Sequence, residues 1–245
     1  MRDWAGRRYW LVGASEGLGR ALAMKMSRCG CELVLSARSA ERLEALAAEL
    51  PGRAKVLPMD VTDMESVEAA VAAAGEVDGL VYLSGVYWPM PAQRWDAAQA
   101  VQMLDVNFTG AVRVLGHVVP AMAARGSGHV VITGSLSGFR GLPGSIGYGS
   151  AKAGLMHLAE SMRCDLQGSG VEVQLANPGF IRTRLTDKND FRMPFLMEPE
   201  EAAERMFAHM SGGSFAANFP TLFSLLFRGA NFLPDALYYR LFGAR

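Results

Sequence analysis

The chain has 245 residues, half of them apolar, and its 24 basic and 24 acidic residues cancel to a formal net charge of zero. That length and composition describe one domain of the larger kind, residues 1–245, with a sizeable core. Zero net charge argues against nucleic acid as a partner, and three cysteines without metal or disulfide spacing (Cys29, Cys31, Cys164) fit a reducing cytosol. The stretch before Tyr9 lacks the apolar core of a signal peptide, so a cytoplasmic placement is expected. His117, His129, His157 and His209 are scattered without ligand spacing, and no metal site is expected.

The first apolar run, residues 9–12, breaks into Gly13-Ala-Ser15-Glu16-Gly17-Leu18-Gly19, and residues 20–28 follow with helical periodicity. A strand, a glycine turn and a helix present free N–H groups and a positive dipole end to a phosphate. Alone, such a loop is an ordinary left-handed turn; at the first strand–helix junction of an alternating chain it reads as a dinucleotide cradle. The second strand, 32–36, ends in Ala37-Arg38-Ser39. A carboxylate there would grip the ribose diol of NAD. A guanidinium instead forks onto a phosphate and stacks on adenine, so Arg38 points to NADP(H) over NAD(H).

Alternation continues through a helix at 40–50, a strand at 54–59 and then Asp60-Val61. A helix capped by Asp63 runs through Ala74, and a strand at 77–83 leads into Ser84-Gly85. A long helix at 102–124 contains Asn107, and a strand at 129–134 ends at Ser135. The pattern implies a doubly wound parallel α/β sheet, Rossmann-like, with ligands bound beyond the carboxyl ends of its strands.

In the next segment, 134–155, Tyr148-x-x-x-Lys152 places two side chains one helical turn apart on one face. A phenol titrates near 10, and a neighbouring cation favours its anion. Lys152 is therefore expected to lower the Tyr148 pKa and make it an acid or base usable at neutral pH. Ser135, at a strand end, would bond the same substrate oxygen. A tyrosine and a lysine four apart are common on helix surfaces, so this pair gains its meaning from the cradle upstream.

Gly13-x-x-x-Gly17-x-Gly19, Asp60-Val61, Asn107, Ser135, Tyr148-x-x-x-Lys152 and Asn177-Pro178-Gly179 together resemble the short-chain dehydrogenase/reductase family, over roughly the first 200 residues. The resemblance implies a seven-stranded sheet, a nicotinamide cofactor and hydride transfer to or from carbon. By family role Tyr148 is the general acid/base, and Lys152 holds the ribose. Ser135 orients the carbonyl, and Asn107 holds a water that relays protons through Lys152. Asp60 would contact adenine, Pro178-Gly179 would line the nicotinamide, and Thr183 would bond its carboxamide or the pyrophosphate. Ser15, Glu16, Leu18, Val61, Ser84, Gly85 and Ile181 complete the implied cofactor contacts. Two positions depart from the family: Val12 stands where Thr is usual, and Tyr82-Leu83-Ser84-Gly85 replaces Asn-Asn-Ala-Gly. Loss of the first Asn removes side-chain ties between central strands and puts the bracing there in question.

The substrate's surroundings read as apolar: 86–91 after the fourth strand, Leu136, Phe139 and Leu142 after Ser135, then Phe191, Met193, Phe195, Leu196 and Met197. Arg182, Arg184 and Arg192 in the last stretch would meet cofactor phosphates or an acidic substrate end, or be solvated. A helix at 199–210 and a strand at 215–219 precede an apolar extension, 219–245. Neither of its apolar pieces approaches the ~18–20 residues that cross a bilayer. Leu237, Tyr238, Leu241 and Phe242 are expected on one face of a helix opened by Pro234. The extension is expected to cover the substrate cleft or a second subunit rather than a membrane surface, since Arg228, Arg240 and Arg245 are few for an interfacial anchor. The resemblance also implies a homodimer through the helices at 102–124 and 148–167. The reading reached is an NADPH-dependent reductase of a carbonyl, or the reverse alcohol dehydrogenase, acting on a moderately hydrophobic small molecule. An NAD-dependent alcohol dehydrogenase of the same family and a non-catalytic NADPH-binding sensor or scaffold are the alternatives.

Overall fold

The computed structural model describes residues 2–243; Met1, Ala244 and Arg245, and with the last one of the cations counted above, lie outside the described residues. Seven strands form one sheet in the order β3-β2-β1-β4-β5-β6-β7. They are β1 Arg8–Val12, β2 Glu32–Ser36, β3 Ala54–Val56, β4 Gly79–Tyr82, β5 Gly128–Thr133, β6 Val171–Pro178 and β7 Ala216–Phe219. Every pairing is parallel. The helices are α1 Gly17–Arg28, α2 Ala40–Glu49, α3 Met64–Ala74, α4 Ala97–Leu104, α5 Gly110–Ala124, α6 Ile146–Asp165, α7 Pro199–Met210, α8 Thr221–Ala230 and α9 Asp235–Phe242.

The two-residue period of β1 sorts its side chains onto two faces. Tyr9 and Leu11 join Leu22 and Met26 of α1, Leu43 and Leu46 of α2, and Met206 of α7. Trp10 and Val12 join Val67 of α3, Val114 of α5, and Leu155 and Ala159 of α6. Both faces of the sheet are thus covered, as a parallel sheet requires. The chain reverses its strand order between β1 and β4, which opens a crevice at their carboxyl ends.

Three local features depart from the sequence pattern. β3 ends at Val56 rather than continuing to 59, and Pro58 falls on its open edge, where a missing N–H breaks no ladder bond. Leu57 and Met59 still donate to Leu35 and Ala37. The helix expected at 102–124 begins earlier, as α4, and passes through a π-turn at Asp105–Thr109 before α5. The missing Asn of the fourth strand is replaced in kind: the buried Tyr82 hydroxyl donates to the Val106 carbonyl at 2.7 Å, tying β4 to that π-turn. Among the described residues no helix is long and apolar enough to cross a membrane, and no cluster of metal-binding side chains occurs. His129 is buried between Tyr9 and Gln174 as part of a polar brace, and burial drives its pKa down to about 3.

Candidate active site

The glycine turn between β1 and α1 is shaped by close approach. Gly13 has φ +100°, and a Cβ there would lie 2.5 Å from the Ser84 nitrogen. A Cβ on Gly19 would lie 2.1 Å from the Gly13 carbonyl oxygen. A side chain at either position would collide with the main chain that shapes the turn. Glu16, the N-cap of α1, makes no side-chain hydrogen bond into the helix, and the first turn holds no acidic residue. Its carboxylate is instead turned to Arg42, 3.2 Å away, and to Arg184. The first N–H groups of α1 therefore face the crevice with their dipole end, as an anion site requires.

One cleft runs along the strand ends, and all the residues named from the sequence for cofactor contact line it. Gly13, Ser15, Glu16, Gly17, Leu18 and Gly19 form its floor at α1. Arg38, Asp60 and Val61 lie at one end, Ser84 and Gly85 in the middle, and Tyr148, Lys152, Pro178, Gly179, Ile181 and Thr183 at the other. Arg38 is exposed beside Ala37, and Arg42, which the sequence reading missed, stands one turn further on in the same wall. The signal available was its spacing of four from Arg38 on a helix capped by Ser39. One Asp60 oxygen accepts from both the backbone and the hydroxyl of Thr62 and so shapes the loop after β3.

Ser135, Tyr148 and Lys152 converge where this cleft meets a second, apolar pocket. Ser135 and Tyr148 line both. Ser135 Oγ accepts from the Ser137 backbone at 3.2 Å and its hydroxyl at 3.0 Å, which leaves the Ser135 proton to be donated elsewhere. Lys152 is buried, donates to the Thr133 carbonyl at 2.8 Å, and holds its Nζ 5.6 Å from the centre of the Tyr148 ring. Asn107 does not line the cleft. It is fully buried in the π-turn, where its amide accepts from the Val86 N–H at 2.7 Å and donates to the Val86 carbonyl at 2.9 Å.

The electrostatics correct one expectation. Lys152 was expected to lower the Tyr148 pKa, yet burial pushes the phenol up to about 12, against a smaller lowering by Ser135. Burial also brings Lys152 down to about 8. Two groups sharing a dry site both shift toward their neutral forms, because burial disfavours each charge.

In the apolar pocket, Tyr87, Leu136, Leu142 and Phe191 fall where the sequence put substrate surroundings. Phe139 and Met197 instead pack into the cores on either side of the sheet, and Phe195 lies against Phe223. Arg182 pairs with Glu198 at 2.7 Å and Arg184 with Glu16. Phe223 and Phe227 of α8 complete the lining, and among the described residues no charged side chain is part of it. Half of the tail's expectation is met: the inner face of α8 covers the pocket, while Leu222, Leu225 and Leu226 face outward. On α9 only Tyr238 is buried; Leu237 and Leu241 are exposed, because that helix rests on the loop after Ser135 rather than on the core.

Comparison with known proteins agrees with this geometry. A family model described as short chain dehydrogenase matches residues 9–192. An uncharacterized oxidoreductase of Myxococcus xanthus is 37% identical, covering 97% of this chain and 97% of its own length. A sulfoacetaldehyde reductase of Chromohalobacter salexigens is 39% identical over 72% of this chain and 73% of its own. Among solved structures, a short chain dehydrogenase from Burkholderia cenocepacia in complex with NADP superposes with a TM-score of 0.87, over 98% of this chain and 99% of that one. At 23% identity that match concerns the fold.

Proposed function

This chain belongs to the short-chain dehydrogenase/reductase family and is an NAD(P)-dependent oxidoreductase, and from that premise we propose that it uses NADPH to reduce a carbonyl of a neutral, moderately hydrophobic small molecule, or runs the reverse oxidation of a secondary alcohol. The observation that carries this reading is the position of Ser135 and Tyr148 at the junction of the glycine-floored cleft and the apolar pocket. The bound nicotinamide would supply or take up the hydride. Ser135 would donate to the carbonyl oxygen and fix its direction. Tyr148, raised to about 12 and so protonated across the neutral range, would give its proton to the developing alkoxide, a far stronger base. Lys152, titrating near 8, would hold a cation beside the phenolate left behind and return a proton from solvent. Both ends of the Asn107 amide are taken by Val86, so a relay water would have to use its main-chain carbonyl, within a turn whose i→i+5 bonding disturbs the α-helical ladder.

Preference for NADPH rests on Arg38, with Arg42 beside it and Ala37 where a ribose-binding acid would stand. The sulfonate implied by the name of the Chromohalobacter relative does not carry over readily, because among the described residues no cation lines the apolar pocket. A homodimer through α4, α5 and α6 is supported by exposed Val101, Leu104 and Val112 on the first two. Loss of reduced-nicotinamide absorbance, followed over a panel of aldehydes, ketones and alcohols with both cofactors, tests the proposal. No turnover with any of them would sink it.

A further inference from the structure

Arg140 lies just beyond the short turn Leu136–Gly138 that Ser135 caps. Its guanidinium reaches across to the C-terminal extension through both terminal nitrogens. Nη1 donates to the carbonyls of Ala230 and Leu233, each at 2.8 Å, and Nη2 to Asp235 Oδ1 at 2.5 Å. The guanidinium carbon sits 3.9 Å from the centre of the Tyr238 ring, and the Tyr238 hydroxyl donates to the Gly141 carbonyl at 2.6 Å. Ala230 ends α8, and its carbonyl, which also accepts from the Leu233 N–H at 3.2 Å, places the cation at the negative end of the helix dipole. One side chain thereby joins the end of α8 and the start of α9 to the loop that carries Ser135.

α8 also packs on β7 and on the turn Leu136–Gly138, through one face only. Leu222, Leu225 and Leu226 are exposed, and the buried residues of the helix are Phe223, Ser224 and Ala230. Phe223 packs against Phe180 and Phe195, and against Phe227 at 5.0 Å between ring centres. Phe223 and Phe227 face Tyr148 across the apolar pocket. The clamp adds to that packing a polar tie at the C-terminal end of α8, the end nearer Phe227. The wall lies outside residues 9–192, the part of the chain that matches the family model.

We propose that Arg140 is a positioning residue for substrate selection: by clamping α8 to the Ser135 loop it sets Phe223 and Phe227 as the far wall of the pocket, which selects uncharged carbonyl compounds with an aromatic or bulky apolar body and rejects anionic ones. The pocket holds about 140 Å³, the scale of a cavity that accepts benzene. An anionic group entering it would be stripped of water without a counter-charge. A short aldehyde, by contrast, reaches Ser135 and Tyr148 without touching the wall. The inference rests on the reductase reading above, and the substrate pair separates the two.

The test compares propanal, 3-phenylpropanal and an anionic sulfonated aldehyde in the full-length protein, in Arg140→Met, Arg140→Lys and Phe227→Ala, with NADPH. Arg140→Met is expected to raise KM for the phenyl substrate about ten- to hundredfold while its kcat, the propanal KM and the NADPH Kd stay within about twofold. Arg140→Lys restores the cation and part of the effect. Phe227→Ala reproduces the loss of selectivity without disturbing the clamp, so the wall is tested even if Arg140→Met fails to fold. Amide exchange in α8 should quicken in Arg140→Met while that in α6 does not. Equal losses for both neutral aldehydes, no loss for either, or efficient reduction of the sulfonated aldehyde by the unmodified protein would overturn the proposal. Failure of the unmodified protein to reduce propanal would instead refute the reductase reading.

Discussion

Replacing Lys152 with methionine keeps an unbranched side chain of similar reach and removes a buried ammonium. The folded protein holds that proton only to about pH 8, against 10.5 for the ordinary lysine, because burial disfavours the charge. Below about pH 8 both folded and unfolded states are protonated, and the folded state carries a cost of about 3 kcal/mol. Between there and the ordinary lysine pKa the unfolded state binds the extra proton, so stability rises with pH. Beyond it the cost is gone. Methionine also gives up the hydrogen bond to the Thr133 carbonyl, about 1 kcal/mol. Lys152→Met should therefore be more stable than the parent by about 2 kcal/mol near neutrality, and about 1 kcal/mol less stable at the alkaline end. Tyr148, whose pKa burial raises, loses stability as pH climbs past the ordinary tyrosine value, but it does so in both proteins and cancels in the difference. Urea unfolding followed by fluorescence of the buried Trp4 and Trp10 reads this directly. A stability difference that does not change with pH would mean that Lys152 is not a desolvated cation.

Arg38→Asp should abolish or reverse the preference for NADPH over NADH, a change of roughly ten- to a hundredfold in relative Kd by titration. Arg42→Ala should weaken NADPH and leave NADH nearly untouched; equal effects on both cofactors would remove it from the phosphate site. Gly19→Ala forces a methyl onto the Gly13 carbonyl, so NADPH affinity should fall about tenfold or more while the far-ultraviolet circular dichroism persists. Tyr82→Phe leaves the Val106 carbonyl unpaired in the core and should cost about 1–3 kcal/mol in urea unfolding. An unchanged midpoint there would show that the π-turn is braced by something else.

Much of the cleft was legible because its parts are local. A strand end followed by closely spaced glycines, or a tyrosine one turn before a lysine, needs only neighbouring residues to define its geometry, and each lines the cleft. What escaped depends on distance along the chain or on burial. Arg140 meets its partners ninety or more positions away, at Ala230, Leu233, Asp235 and Tyr238, and nothing in the local pattern marks it as other than a solvated loop residue. The π-turn at Asp105–Thr109 adds a residue to a helical turn without disturbing apolar periodicity enough to be read. Tyr82 occupied a position that looked like a loss of polar bracing, because a hydroxyl reaching the Val106 carbonyl from β4 requires knowing where the next helix runs. The direction of the Tyr148 shift was misjudged for a related reason: charge proximity is visible in a sequence, whereas burial is not.

Tyr148→Phe tests the central claim most directly, since it deletes one oxygen from the junction of the two pockets and leaves the ring against Tyr87. Carbonyl reduction with NADPH, measured in parallel with NADPH binding, should show kcat lower by about 10²–10⁴-fold and Kd within a few-fold of the parent. Turnover equal to that of the parent would contradict the account, because the proton would then come from another group.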